Sequence, residues 1–214
     1  MKKLHSELPP TQKGRVYELK AQAIRDFAGL ENDDDPLNPF ALAEYAKLLV
    51  ASFDEILPFL SEETKRMLLE EAKNSWSGGV CLQPLPNGRK LIILNPTHGE
   101  NRQNATLMEE ICHVFLGHKP SKLIISDKHM KAREYDSKVE EEAYAVGAAA
   151  LVPYTALRKM VHQGKTSQEI AQHFRVSRDL VEYRMKVTRL WDTYINRTQK
   201  TNQDLQKQKN TTSE

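Results

Sequence analysis

Two short stretches of this sequence carry side chains whose types and spacing suit chemistry. The first is Thr106-Leu107-Met108-Glu109-Glu110-Ile111-Cys112-His113-Val114-Phe115-Leu116-Gly117-His118. On a helix, Glu109 and His113 stand at i and i+4. They share a face, with Cβ atoms roughly 5–6 Å apart. A helical His-Glu-x-x-His places two metal ligands in this way and leaves the glutamate between them as general base. Here Glu109 holds the first ligand position, Glu110 the base position and His113 the second ligand position, so the string reads Glu-Glu-x-x-His. By itself that string also describes an ordinary amphipathic helix. His118 is a further candidate ligand, but it lies beyond Gly117 and projects away from Glu109. Cys112 projects to the far side of Glu109 and is assigned to packing.

The second stretch is Val139-Glu140-Glu141-Glu142-Ala143-Tyr144-Ala145-Val146-Gly147-Ala148-Ala149-Ala150-Leu151-Val152-Pro153. Helical projection sets Glu140 on one stripe with Ala143, Tyr144, Gly147 and Leu151, and Glu142 on the opposite side. Small residues let two helix axes approach closely. If this helix met the first, Glu140 would come toward His113. A buried carboxylate needs a partner, and a metal would serve. The competing reading is a solvated acidic first turn favoured by the helix dipole.

Elements must position these residues. Apolar Val16, Leu19, Ala23, Ile24, Phe27 and Leu30 recur near period 3.6 and predict a helix over Val16–Leu30. Glu31–Pro39 reads as a loop, Phe40–Phe53 as a second helix, and Ser61–Lys73 as a third capped by Ser61. Pro86-Asn87-Gly88 between Val80–Leu85 and Lys90–Leu94 is a hairpin signal, so a small antiparallel sheet follows. Its strand Lys90–Asn95 is available to pair with an extended peptide. Helices are expected at Ala105–Gly117, stopped by Gly117 and Pro120, and at Ser137–Val152, stopped by Pro153. A short extended run is expected at Leu123–Ser126. Two helices follow, near Ser167–Phe174 and Arg178–Asn196. Residues 198–214, rich in Gln, Lys, Asn and Thr, read as a disordered tail.

The 214 residues, 39% hydrophobic and 28% charged, suit a soluble domain with a real core and exclude a fibre or a globally disordered chain. The apolar runs are too short to span a bilayer. The polar N-terminus shows no signal peptide, and two cysteines make no disulfide framework, so the expected setting is the cytoplasm. The net charge of +2 conceals an asymmetry: from Tyr154 onward 12 Lys and Arg stand against 6 Asp and Glu. A basic C-terminal part could follow nucleic acid or form a solvated surface.

The order of elements resembles the ImmA/IrrE family of metallo-endopeptidases from about Phe40 to Asn196. That family has a helical N-terminal part, a small sheet, an active-site helix reading T-L-x-H-E-x-x-H, and a helix reading E-x-E-A-x-x-x-A-x-x-L-L-x-P. Thr106-Leu107, Glu110 and His113 match the first helix. Glu140-Glu141-Glu142-Ala143 through Leu151-Val152-Pro153 matches the second, and Glu140 falls where the third ligand sits. The departure is Glu109, which stands at the first histidine. The resemblance implies a zincin-like α+β fold, mostly α. It implies Glu109, His113 and Glu140 as metal ligands, zinc as the metal, and Glu110 as the base acting on a metal-activated water. It further implies a protein substrate, in characterised members a helix-turn-helix repressor. A second carboxylate ligand offsets more of the metal's charge, weakens its Lewis acidity and tilts preference toward a harder ion such as manganese. Three outcomes stay open: a slow metallopeptidase, an enzyme with another metal, or a pseudo-peptidase that binds a repressor without cleavage.

Thr166 to Arg184 has helix-turn-helix grammar. Thr166 and Glu169 form a capping box, Ile170, Ala171 and Phe174 face inward, Val176 plugs the turn and Ser177 caps the next helix. Arg178, Arg184 and Lys186 are the residues that would meet DNA or a partner. The competing reading is a helical pair that packs on the peptidase domain. The expected division is a flexible N-terminus at 1–13, a metallopeptidase domain at 14–153, a helical extension at 154–197 and a tail at 198–214.

Overall fold

A computed structural model describes residues 7–80, 85–118, 124–126, 129–131 and 136–197, with the backbone alone at 124–126 and 129–131. Of the expected loose segment at 1–13, residues 1–6 lie outside the described residues, as do residues 81–84 and the expected tail at 198–214.

The chain forms two compact units. One comprises residues 38–147 and the other residues 1–37 with 148–214. The first unit opens with helix α1, here Pro39–Tyr45, capped by the Asn38 side chain. The expected helix over Phe40–Phe53 stops there. Lys47 takes φ +56° and turns the chain. Leu48-Leu49-Val50-Ala51 then forms β1, which pairs in parallel with Lys90–Leu94. A short helix α2 follows at Phe53–Ile56, closed by a Ser52/Glu55 capping box. Ser61 caps helix α3 at Glu62–Arg66, as its position predicts, and the chain runs on through a π-helical turn at Met67–Glu71.

The expected hairpin is present. Strand β2, Gly78–Val80, runs antiparallel to β3, Lys90–Leu94, with Val80 opposite Ile92. Leu85 N–H donates to Arg89 O at 2.7 Å across the Asn-Gly turn. The sheet order is β1-β3-β2, so the sheet is mixed rather than antiparallel. Strand β3 sits in its middle with both edges paired. The expectation that Lys90–Asn95 could accept an extended peptide is therefore corrected, because its backbone is already committed to two neighbours.

Asn95 ties the end of β3 to the segment before β2 and, through Gln103 Nε2 donating to its carbonyl at 3.1 Å, to the next helix. It is fully buried. Its Nδ2 donates to Lys73 O and Trp76 O at 2.7 and 2.8 Å, and its Oδ1 accepts from Thr97 N–H and Oγ1 at 2.9 and 2.7 Å. Helix α4, Glu100–Phe115, then packs against α1, β2 and β3. Leu107, Met108 and Ile111 are wholly buried, each contributing about 1.5–3 kcal/mol relative to exposure. Two short strands pair as β4, Ile124–Ser126, and β5, His129–Lys131. The first fits the expected extended run, and the second has no counterpart in the sequence reading. Helix α5, Ser137–Leu151, starts in this unit and ends in the other.

The second unit contains helix α6, Gln12–Phe27, capped by Thr11. Its inward face is not its apolar stripe. Val16, Leu19 and Phe27 are exposed, whereas Glu18, Ala21, Ile24 and Arg25 are buried. The two buried charges are satisfied. Glu18 accepts from Tyr154 N–H at 2.6 Å and from Arg184 Nη2 at 2.6 Å. Arg25 donates to Ala150 O at 2.9 Å and to Asn32 O and Asp35 O at 2.9 and 2.7 Å. The bonds to Tyr154, Arg184 and Ala150 join residues 1–37 to residues after 147 within one compact unit.

Pro153 ends α5 and opens helix α7, Tyr154–His162, which the sequence reading had not separated. Helix α8 spans Ser167–Phe174 with the predicted Thr166/Glu169 capping box. Helix α9, Arg178–Val187, is capped by Ser177 and packs on α8. The expected run to Asn196 breaks at Arg189, φ +60°, before a further helical stretch at 191–197.

Candidate metal centre

The site is built on α4 and α5, both parts within the 38–147 unit. Glu109 and His113 lie one turn apart on α4, half-buried, and Glu140 lies in the first turn of α5, buried to 8% exposure. The two helices meet at Gly147, where the space left holds a methyl group and little more. A β-carbon there would stand 3.4 Å from Met108 Cγ and 3.5 Å from the Glu109 backbone nitrogen. Ala143, one turn nearer Glu140, is wholly buried. The small-residue stripe of α5 thus lets the two helix axes close up.

One donor atom each from Glu109, His113 and Glu140 lies within 4.8 Å of the others. His113 Nε2 is 3.5 Å from Glu140 Oε2. A tetrahedral ion with bonds of about 2.1 Å holds its ligand atoms about 3.4 Å apart, so this edge is already at ligand spacing. Two carboxylates and a neutral imidazole carry a charge of −2, which balances a divalent cation. The donor set fits zinc, and its oxygen content also admits a harder ion.

Glu110 follows Glu109 on α4 and is half-buried. Cys112 is wholly buried, and burial, with the nearby Glu109 charge second, pushes its thiol well above the usual range. It packs as expected and stays out of the cluster.

One residue of the surroundings, His118, was misplaced by helical projection. His118 Nδ1 lies 3.1 Å from His113 Nδ1, and His118 Nε2 lies 3.2 Å from Glu142 Oε2. The two rings meet edge to face, with centroids 5.1 Å apart. The helix end explains this. Gly117 takes φ +68°, Gly117 N–H donates to Val114 O at 3.2 Å, and His118 N–H donates to His113 O at 2.9 Å. That is a Schellman closure, in which the second residue past the cap folds back over the third residue from the end. Projection along the helix axis fails past Gly117. The glycine followed by a histidine was the signal available.

A family model, Peptidase_M78, described as IrrE N-terminal-like domain, matches residues 64–186, more than half of the chain. The chain belongs to this IrrE-like peptidase family. No curated protein matches it. The matched region contains β2, β3, α4, α5 and the helix pair α8/α9, so this IrrE-like chain is an α+β protein, mostly α, of the zincin-like kind. Membership supports a metallopeptidase type of function and implies a protein substrate. Among the described residues no helix is long and apolar enough to cross a membrane.

The three cationic residues of α9 are placed differently from one another. Arg184 is buried to 3% exposure, where its Nη2 meets Glu18 and its Nε donates to Val152 O at 3.1 Å. It is corrected as a surface contact, because its guanidinium is held inside the protein. Arg178 is exposed and pairs with Glu182 at 2.6 Å. Lys186 Nζ sits 4.8 Å over the Trp191 ring.

Proposed function

We propose that this protein is a metal-dependent endopeptidase of the ImmA/IrrE type, acting on a transcriptional repressor protein in the cytoplasm. The observation that carries the reading is the convergence of donor atoms of Glu109, His113 and Glu140 to within 4.8 Å of one another on two helices of an IrrE-like domain. A divalent cation held by these three side chains, zinc or manganese, would supply Lewis acidity toward a water and a peptide carbonyl. Glu109 takes the position at which the motif carries histidine, and its carboxylate keeps the i, i+4 geometry with one more negative charge.

Glu110 would accept the proton of the attacking water and pass it to the leaving amine. With β3 enclosed, an extended substrate would pair with the outer edge of β2, the edge strand packed against α4. The helix-turn-helix-like pair α8/α9 serves as packing rather than as a DNA reader in this account, since Arg184 faces Glu18 and the exposed Arg178 is tied to Glu182.

The test is Glu110→Gln, assayed for cleavage of candidate helix-turn-helix repressors and for bound metal. The expected result is lost cleavage with unchanged metal content, because the amide keeps the volume but cannot take the proton. Undiminished cleavage would place the base elsewhere.

A further inference from the structure

We propose that His118, held in place by Glu142, is the positioning residue that fixes His113 as a ligand through Nε2. The proposal rests on reading Glu109, His113 and Glu140 as a metal centre.

His113 turns Nε2 toward Glu140 Oε2, 3.5 Å away, and Nδ1 toward His118 Nδ1, 3.1 Å away. Two ring nitrogens at 3.1 Å share a proton, since two lone pairs at that distance repel. A metal on Nε2 needs that lone pair, so the His113 proton sits on Nδ1 and is donated to His118. His118 then accepts at Nδ1 and carries its own proton on Nε2. That N–H points at Glu142 Oε2, 3.2 Å away, and a carboxylate is an acceptor. Every donor in the chain Glu142, His118, His113 therefore has its acceptor in only one arrangement of protons compatible with a metal on Nε2. His118 is well shielded, with 9% of its side chain exposed, and the Schellman closure at Gly117 sets its backbone. Partners of this kind orient a ligand and raise its basicity, and removing one typically costs about 10–100-fold in metal affinity.

The experiment uses the full chain and zinc. Affinity is measured by competition with a chromophoric chelator for wild type, His118→Leu, His118→Asn and Glu142→Leu, with far-UV circular dichroism of the metal-free proteins as the check on folding. His118→Leu and Glu142→Leu should weaken zinc binding about 10–100-fold. His118→Asn, whose side-chain oxygen can accept near the Nδ1 position, should recover most of the loss. In the zinc-loaded wild type, nitrogen-15 chemical shifts should place the His118 proton on Nε2. Equal affinity in wild type and His118→Leu, or a His118 ring protonated at Nδ1, overturns the proposal while the metal centre stands. Absence of zinc binding in wild type overturns both.

Discussion

Replacing Gly147 by Ala and by Ile should separate the packing of the site from its chemistry. A β-carbon on Gly147 meets Met108 Cγ at 3.4 Å, and the Met108 carbonyl carbon and Glu109 nitrogen at 3.5 Å. These are ordinary contact distances, so Ala fits without displacing α4. It also removes glycine's helix penalty, about 0.8–1.0 kcal/mol relative to Ala. Gly147→Ala should therefore stabilise the protein by about 1 kcal/mol, a rise of about 2–4 °C in melting temperature for a chain of this size. Its zinc affinity should match wild type. The further branches of Ile have the backbone of Met108 and Glu109 in front of them. Overpacking of this kind costs about 1–3 kcal/mol, and here it pushes Glu109 and His113 away from Glu140. Thermal melts of the metal-free proteins and chelator competition with zinc read the two effects separately. A destabilised Ala variant, or an Ile variant that binds zinc as wild type does, would refute the claim that the Gly147 contact sets the ligand spacing.

The buried pair Glu18–Arg184 should behave as a unit. Arg184→Ala, which strands the Glu18 carboxylate, should cost about 3–5 kcal/mol in chemical denaturation, and a Glu18→Leu/Arg184→Met double variant much less; a mild single effect would show that water reaches the pair. The capping-box carboxylate of Glu169 is held down to about 2, first by the Thr166 backbone N–H and then by Lys165 and the Thr166 hydroxyl. Its contribution to helix α8 should be complete above about pH 4.5 and be lost as pH falls through about 2; an NMR midpoint near 4.5 would sink this. Glu109→His should raise zinc affinity and hydrolysis together, because imidazole leaves more positive charge on the ion. Unchanged zinc stoichiometry and cleavage would put Glu109 outside the ligand set.

Much of this was legible where the chemistry is local. Helix α8 came out residue for residue because Thr166, Glu169 and the turn at Ser177 act within a few residues of themselves. Glu140 could be placed by projection because Glu140 and Gly147 share one unbroken helix. What failed depended on distant partners. Leu48–Ala51 is apolar enough for helix or strand, and only the pairing with β3 makes it a strand. The N-terminal helix turns Glu18 and Arg25 inward because Arg184, Tyr154 and Ala150 are there to satisfy them, and none of these is visible from the local pattern. His118 was lost for a third reason: a left-handed glycine ends the geometry on which projection relies.

The central claim is that Glu109, His113 and Glu140 hold a divalent metal. Elemental analysis of the full chain, equilibrated with zinc and then freed of loosely bound ions, tests it most directly when run beside His113→Ala and Glu140→Ala. The account predicts one tightly held ion per wild-type chain and loss of that ion in both variants, with their folded circular dichroism retained. Wild-type protein that holds no zinc and no manganese, or a Glu140→Ala variant that keeps its ion, would contradict it.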